Sequence, residues 1–294
     1  MLNQWASLYE QVNPSLYMSC YNYYKKHNIA YILHDQHTRS LIGVDFGDFK
    51  HTHKVVTVLE RKLNSKLTHL ISTHSHYVHT DGNKQWKQLR KKALTVVGGF
   101  SPDNKDTVPC ADKLFKDNET LHISNNLNIK FHYTPGHMKS SYCFYVGNKY
   151  DKMLFTGDTL YVGGCSKVYN GSYKEYYNSL NKIKNTIDNN ARVFCGHDFT
   201  HSNLKFCAFI DGDNPTLYKV AQRAMDKHKQ RKLLVGISTL NEELQYNPFC
   251  RCDCSYYKKY TNSSKGEDVL KMLRAIRSSF DNWNNNIYIH NKLI

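Results

Sequence analysis

The sequence predicts an α/β protein, with a strand-rich domain at residues 1–198 and a smaller helical domain at residues 199–294. Across the first two thirds of the chain, short apolar runs alternate with turn-forming residues, which is the pattern of strands joined by loops. After about residue 199, β-branched runs become scarce and helical spacing of apolar residues takes over. The 294 residues, 40% of them hydrophobic, suffice for a substantial core without disulfide bonds.

The first predicted elements are a hairpin, a helix and a buried strand. Residues 30–33 and 41–44 are apolar and flank the polar segment 35–38, a pattern typical of a β-hairpin. Apolar residues at helical spacing predict a helix at 54–63, and the apolar run at 67–73 predicts a buried strand.

Further apolar runs predict five more strands, and amphipathic spacing predicts three more helices. The strands are residues 94–97, 129–133, 142–146, 153–155 and 192–194. The helices are residues 173–187, 217–232 and 267–280. The last two helices form the predicted helical domain.

Composition limits the class of protein. No run approaches the 18 apolar residues of a membrane-spanning helix, and the mean hydropathy is −0.63. The first residues show neither a basic nor an apolar segment, so we expect no secretory signal and a cytoplasmic location. The net charge of +15 favours anionic partners, but the lysines are spread out, and we expect neither a nucleic-acid nor a membrane partner.

The nine cysteines are expected to be reduced thiols, because no secretory signal accompanies them. Three of them, Cys250, Cys252 and Cys254, stand close together. Their spacing is not that of a zinc knuckle, and no second cysteine or histidine pair complements them. An ordinary polar loop is the simpler interpretation of this segment, with metal binding as the alternative.

Three histidines stand within six residues, directly after the predicted strand at 67–73. They are His74, His76 and His79. In an extended loop the first two can point the same way, and imidazole is the commonest metal ligand at neutral pH. Three other predicted strands each end in a turn containing glycine and then a ligand-type side chain: His137, Asp158 and His197. Together the four strand ends predict a metal centre.

These motifs resemble those of the metallo-β-lactamase superfamily and, within it, of glyoxalase II, the hydroxyacylglutathione hydrolases. The family signature T-H-x-H-x-D-H-x-G-G-N is similar to THSHYVHTDGN at residues 73–83. The later segments TPGHMKSS, LFTGDTLYVGGCSKVYNGS and VFCGHDFT also match, as do residues 246–249 and 274–277. The resemblance spans about residues 30 to 280 and implies an αββα sandwich followed by a helical domain that binds a thiol substrate.

The resemblance also implies the roles of individual residues. One zinc ion would be bound by His74, His76 and His137, and a second by His79 and His197, with Asp158 bridging the two. Asp158 and His79 would take the most direct part in catalysis, in which an activated water attacks a thiolester carbonyl. Asp45 would support the ligands, and the glutathione part of the substrate would contact Lys167, Tyr169 and Arg277.

The sequence departs from the family at both parts of this site. Val78 stands where the family has an aspartate that binds the second metal, which leaves that metal His79, His197 and Asp158. Asp81 is a candidate substitute ligand, the alternative being that it caps a helix beginning near Asn83. Phe199 replaces a tyrosine and Phe280 a basic residue among the expected glutathione contacts.

The expected function is therefore hydrolysis of S-2-hydroxyacylglutathione, such as S-lactoylglutathione, in methylglyoxal detoxification. Glutathione or another thiol would be the carrier, and up to two zinc ions, or iron, the cofactor. Two alternatives remain open. The first is a degenerate relative that binds without catalysis, and the second is a mononuclear iron persulfide dioxygenase, which would use His74, His137 and Asp158. A nuclease of the same superfamily is disfavoured by the helical domain.

Overall fold

The computed structural model describes residues 8–23, 26–102, 106–147 and 150–286. Within these residues the chain forms twelve strands and nine α-helices. The strands are β1 (Glu10–Asn13), β2 (Leu16–Tyr23), β3 (Lys26–Asp35), β4 (Ser40–Val44), β5 (Lys66–Ile71), β6 (Thr95–Gly99), β7 (Lys113–Phe115), β8 (Thr120–Ser124), β9 (Leu127–Tyr133), β10 (Tyr142–Gly147), β11 (Lys152–Gly157) and β12 (Arg192–Cys195). The helices are α1 (Phe49–Leu63), α2 (Tyr77–Thr80), α3 (Asn83–Arg90), α4 (Tyr173–Thr186), α5 (Thr200–Asp211), α6 (Pro215–Lys229), α7 (Leu240–Tyr246), α8 (Ser255–Tyr260) and α9 (Gly266–Asn286).

The strands form two sheets. The first has the order β1-β2-β3-β4-β5-β6-β7, antiparallel from β1 to β4 and parallel from β4 to β7. The second has the order β12-β11-β10-β9-β8, antiparallel except for the parallel pair β11 and β12. Strands β9, β11 and β12 therefore run in the same direction, and their carboxyl ends lie at one edge of the second sheet.

Three apolar clusters arrange the elements in four layers. Between the sheets, Val44 and Ile71 of the first pack in one cluster with Phe131 and Phe155 of the second. The outer face of the first sheet is covered by α1 and α3, and that of the second by α4 and α9. This is the αββα sandwich that the sequence predicts. The later helices α5 and α6 also contribute side chains to the cluster between the sheets.

All the predicted strands and helices are present, with small shifts at their ends. The hairpin is formed by β3 and β4, paired from Tyr31 with Val44 to Asp35 with Ser40. Helix α1 begins five residues before the predicted start, because Asp48 caps it by accepting a hydrogen bond from the His51 N–H. Helix α9 continues past the predicted end at residue 280 to Asn286.

Several elements lie outside the prediction. Strand β2 is buried on both faces, so it lacks the alternation of apolar and polar residues that marks a half-buried strand. Helix α5 buries Asn203 and Cys207 while exposing Phe209, so apolar residues occur on more than one side and no single stripe marks it.

The described cysteines are all free thiols. Cys252 is buried in the cluster beneath α4 and α9, and burial raises the pKa of its thiol. None of the three clustered cysteines belongs to a potential metal-binding group in the described part of the chain, and their packing against the apolar cluster differs from the expected polar loop. Within the same residues, no helix combines the length and apolarity needed to cross a membrane.

Candidate metal centre

The predicted ligands converge at the carboxyl ends of strands from both sheets. His74 and His79 follow β5, whereas His137, Asp158 and His197 follow β9, β11 and β12. They form two groups of three that share one member. His74, His137 and Asp158 make the first group, and His79, Asp158 and His197 make the second, with all ligand atoms of a group within 4.8 Å of one another.

Asp158 connects the two groups through its two carboxylate oxygens. Its Oδ1 lies 3.4 Å from His79 Nε2 and 3.3 Å from His197 Nε2. Its Oδ2 lies 3.6 Å from His137 Nε2. Two ligand atoms of a tetrahedral zinc ion lie roughly 3.3–3.6 Å apart when each is 2.0–2.2 Å from the metal. The spacing at Asp158 therefore suits a carboxylate that bridges two ions.

Asp45 fixes the orientation of His79. Its Oδ2 lies 3.1 Å from His79 Nδ1, which leaves Nε2 directed at Asp158. The Asp45 backbone has a φ of 57°, a left-handed conformation that non-glycine residues adopt mainly where their surroundings hold them in it. Here the carboxylate also accepts hydrogen bonds from the backbone N–H and the hydroxyl of Thr73, both at 2.8 Å.

Two more histidines of the ligand groups, His74 and His137, are oriented by oxygen atoms next to Nδ1. The Thr73 hydroxyl donates to Asp45 and therefore accepts from His74 Nδ1, at 3.0 Å. His137 Nδ1 donates to the carbonyl oxygen of Lys167 at 2.7 Å. A histidine that donates from Nδ1 presents the lone pair of Nε2, which is the form a metal requires.

The histidines and carboxylates of the cluster shift one another's pKa values. Burial alone would lower the pKa of His79, but the carboxylates of Asp45 and Asp158 raise it to about 10. Burial opposes ionisation of Asp158, yet His197 and His79 hold the pKa of its carboxyl well below the usual range. Burial and the neighbouring His79 keep the pKa of His74 well below its ordinary value. The group carries its negative charge on Asp158, at the centre.

The atoms that face the centre of the cluster fit a metal. The Nε2 atoms of His74, His79, His137 and His197 and the Oδ1 of Asp158 are buried without a hydrogen-bond partner in the described residues. Buried polar atoms normally have partners, so five such atoms converging on one point indicate a bound group. Gly196 leaves room for them, because a Cβ there would stand 2.6 Å from the His79 ring and 2.8 Å from Asp158 Oδ1.

His76 lies at one side of this cluster and belongs to neither group of three. Its ring centroid is 6.0 Å from that of His74 and 6.2 Å from that of His137. Val78 is fully buried beside His79. Asp81 is exposed and belongs to neither group, so the geometry gives no support to its prediction as a substitute ligand. The N-cap residue of α3 is Gly82, the residue that follows Asp81.

The predicted substrate residues are divided between two places. Lys167 and Tyr169 are exposed at the edge of the cluster, and the Tyr169 ring lies 5.5 Å from that of His76. Arg277 is buried, and its guanidinium contacts the Ser202 carbonyl at 2.7 Å and Asp281 at 3.0 Å. Arg277 thus has partners within the chain in this structure.

Phe199 and Phe280, which replace polar residues of the family, have different surroundings. Phe199 stacks on the His197 ring, with centroids 5.1 Å apart and an angle of 23° between the planes. Phe280 packs against Phe206 and Phe209 in the helical part of the chain. Only Phe199 is in contact with the metal cluster.

Tyr176 of α4 is a positioning residue that the sequence did not indicate. Its hydroxyl lies 3.0 Å from the carbonyl oxygen of Asp158 and 2.9 Å from that of Thr159, and it accepts from the Ser166 N–H at 2.9 Å. The side chain is fully buried, so these bonds fix the backbone that carries the bridging carboxylate. Helical spacing marks Tyr176 as a core residue but gives no sign of this polar contact.

Comparison with known proteins agrees with this geometry. Residues 42–197 match the metallo-beta-lactamase superfamily, and residues 198–282 match the hydroxyacylglutathione hydrolase C-terminus. The chain is 36% identical to hydroxyacylglutathione hydrolase from Pelagibacter ubique, over 86% of this chain and 95% of that protein. It is 31% identical to a hydroxyacylglutathione hydrolase named as cytoplasmic from Arabidopsis thaliana, over 87% and 95% of the two chains.

Solved structures show the same fold at lower identity. The crystal structure of ETHE1 from Myxococcus xanthus superimposes with a TM-score of 0.60 at 19% identity, covering 88% of this chain and 90% of the other. The crystal structure of a metallo-beta-lactamase from Staphylococcus aureus superimposes with a TM-score of 0.58 at 16% identity, covering 90% of this chain and 73% of the other. The fold and its paired His/Asp groups define a metal-binding enzyme of the metallo-beta-lactamase class. Within that class, the chain belongs to the hydroxyacylglutathione hydrolase family.

Proposed function

We propose that this protein is a metal-dependent thiolester hydrolase that cleaves S-2-hydroxyacylglutathione, with S-lactoylglutathione as the first substrate to test. The observation that carries the proposal is the sharing of Asp158 between two histidine groups through its two oxygens. The names of the most similar relatives support the choice of substrate. The name of one relative also supports a cytoplasmic location.

The residues of the chain hold the reacting groups in place. A zinc ion bound here would lower the pKa of a water molecule and polarise the thiolester carbonyl. Contacts with Thr73, Asp45 and the Lys167 carbonyl orient His74, His79 and His137 so that their Nε2 atoms face the cluster. This orientation precedes substrate binding, so the chain need not reorganise during the reaction.

The proposed cofactor is zinc, with up to two ions. The first group offers His74, His137 and Asp158, and a shift of the His76 ring would add a fourth ligand. The second group offers His79, His197 and Asp158, and three protein ligands plus water form a catalytic zinc shell. Because Val78 supplies no carboxylate, we expect the second ion to bind more weakly than the first.

The proposed substrate contacts are Lys167 and Tyr169. Both side chains are exposed beside the cluster, and the Lys167 backbone also orients His137. A bound thiol carrier would thus lie next to the metal ligands. Contact with Arg277 would require an exchange of its Asp281 partner for a substrate carboxylate. We also propose that residues 1–198 and 199–294 act as the metal-binding and substrate-binding domains.

The test is steady-state hydrolysis of S-lactoylglutathione by the purified protein at a defined excess of zinc. We expect turnover that is lost after chelation and restored by zinc. His197→Ala should reduce kcat at least 100-fold, because it removes a ligand of the second group. His201→Ala is the matched control: it changes an exposed histidine four residues later and should leave turnover unchanged. A folded, zinc-loaded protein without turnover would contradict the proposal.

The same sample separates the alternatives. A persulfide dioxygenase would contain iron and consume oxygen with glutathione persulfide, and would not hydrolyse the thiolester. A non-catalytic relative would bind the thiolester without turnover. The second group, which a mononuclear enzyme does not need, favours the hydrolase.

A further inference from the structure

We infer that Asp106 is a positioning residue. Its carboxylate binds three loops around the metal centre and fixes their positions relative to one another. The inference rests on the proposed metal centre and extends it to a residue that binds no metal. Asp106 lies between β6 and β7, outside both ligand groups. Its side chain is buried, with only 9% of the residue exposed.

The first loop held by Asp106 carries His74 and His76. The residue between them, Ser75, donates its hydroxyl hydrogen to Asp106 Oδ1. The backbone N–H of Ser75 donates to the Ser140 hydroxyl at 3.1 Å. A movement of Asp106 would therefore displace the backbone that lies between these two histidines.

The second loop follows His137. The Ser140 N–H donates to Asp106 Oδ2 at 3.1 Å, and the Ser140 hydroxyl donates to the Ser75 hydroxyl oxygen at 3.1 Å. Ser140 is fully buried, so water cannot replace these bonds. The loops of His74 and His137, which follow different sheets, are thus joined at Asp106.

The third loop carries Lys167 and Tyr169. The Asn170 amide donates to Asp106 Oδ2 at 3.2 Å, and its oxygen accepts from the Lys139 N–H at 2.9 Å. The N–H of Tyr169 donates to the His137 carbonyl at 2.8 Å. Asp106 therefore also sets the distance between the proposed substrate loop and the first metal group.

A carboxylate suits this task because it only accepts hydrogen bonds and offers about four acceptor sites. Three donors from three loops meet it here. Asparagine has nearly the same shape, but its NH₂ would face at least one of those donors. A buried donor without an acceptor is costly, so the loops would move apart to reach water.

The test compares Asp106→Asn with Asp112→Asn in purified full-length protein. Asp112 lies on the same connection and accepts from the Val96 N–H at 2.8 Å, but it belongs to neither ligand group. Two readouts report on the site without substrate: zinc affinity from chelator competition, and the visible absorption spectrum of the Co²⁺-substituted protein. We expect Asp106→Asn to weaken zinc binding 10- to 100-fold and shift the Co²⁺ bands, as loss of a ligand-supporting contact does elsewhere. Asp112→Asn should change neither.

A second variant covers the case in which Asp106→Asn fails to fold. Asn170→Ala changes an exposed residue, so we expect the variant to fold. It removes one of the three donors to Asp106, so its zinc affinity should fall by a smaller factor than that of Asp106→Asn. In the Asp106→Asn background it should cause little further loss, because the two residues act through one contact. The inference would be overturned if Asp106→Asn kept the wild-type zinc affinity and Co²⁺ spectrum. If only Asn170→Ala folds, the same result in that variant would overturn it. A wild-type protein that binds zinc but does not hydrolyse the thiolester would contradict the proposed function and leave this result intact.

Discussion

Asp45 and His79 form a buried pair, with the carboxylate Oδ2 3.1 Å from the ring Nδ1. The pair lies at the first sheet, and the opposite side of the same ring faces Asp158 of the second sheet. One imidazole is therefore placed between two carboxylates that lie on different sheets. Asp45 orients the His79 ring through Nδ1, whereas Asp158 lies with His79 Nε2 among the atoms that would face a metal.

Replacement of Asp45 by asparagine should weaken metal binding. The amide retains one oxygen for the two bonds from Thr73 and the bond from His79, so at least one donor loses its acceptor. We expect zinc affinity and kcat to fall 10- to 100-fold. Chelator competition and steady-state kinetics measure both. Asp48→Asn is the control, because asparagine caps a helix as well as aspartate does and Asp48 caps α1 outside both ligand groups. Equal affinities of the two variants would contradict the role of Asp45.

The substitution Gly196→Ala should disturb the second metal group by steric contact. The added methyl would stand 2.6 Å from His79 Cε1 and 2.8 Å from Asp158 Oδ1, which is closer than van der Waals contact allows. We expect at least a tenfold loss of zinc affinity, with a stability cost of about 1–3 kcal/mol. Gly147→Ala is the control, since its nearest neighbour is the far end of Tyr145 at 3.1 Å. Isothermal titration of both variants with zinc tests the difference, and unchanged binding by Gly196→Ala would refute it.

The substitution Val78→Asp should make stability depend more strongly on zinc. Val78 is fully buried, so a carboxylate there is costly without a metal, and we expect a lower Tm for the metal-free variant. If the carboxylate reaches the second group, zinc should raise the Tm by more than it does in the wild type. Asparagine has nearly the same shape as aspartate without its charge, so zinc should raise the Tm of Val78→Asn no more than that of the wild type. Thermal unfolding with and without zinc measures these shifts; equal gains in wild type and Val78→Asp would show that position 78 does not reach the metal.

His132 should contribute to acid sensitivity. The residue is 2% exposed on β9, and neither ring nitrogen has a hydrogen-bond partner in the described residues. Burial, with help from Lys130 and Lys182, lowers the pKa of His132 to about 4. The unfolded chain therefore binds a proton before the folded chain does, so stability present above pH 6.5 is lost as the pH falls towards 4. Between pH 7 and pH 5 this loss is about 2 kcal/mol.

The variant His132→Leu tests this pH dependence. It has no proton to bind, so the fall in unfolding free energy between pH 7 and pH 5 should be smaller by that amount. Urea unfolding of the metal-free proteins at both pH values measures it. His122→Leu, at an exposed position on β8, should keep the wild-type dependence. Identical pH profiles for His132→Leu and wild type would exclude His132 as a source of acid sensitivity.

The sequence predicts most of the site because the ligands follow strands. A strand is recognised by its local pattern, so a histidine or aspartate directly after its end is a ligand candidate. His74 follows a strand of the first sheet and His137 and His197 follow strands of the second, so their meeting depends on the packing of the two sheets. The role of Asp106 is not predictable in this way, since its partners lie 31 to 64 residues away and are joined only by tertiary packing. A local pattern contains no information about such a contact.

The partner of Arg277 is not predictable for a related reason. Residue type identifies a group that can bind a carboxylate, but not which carboxylate lies nearest. In the folded chain Asp281, one helical turn later, reaches the guanidinium first. Helix α5 was missed because its buried face includes the polar residues Thr200 and Asn203 while Phe209 is exposed, so the spacing of apolar residues does not mark the helix.

Each ligand group takes side chains from both sheets, so the centre exists only when the sheets are packed together. An ion bound there would act as a cross-link between the two halves of the sandwich. Global unfolding requires the sheets to separate, and separation would have to break bonds between metal and ligand. The bound protein should therefore unfold more slowly, and amide hydrogens between the sheets should exchange with solvent more slowly, even at temperatures far below the melting transition.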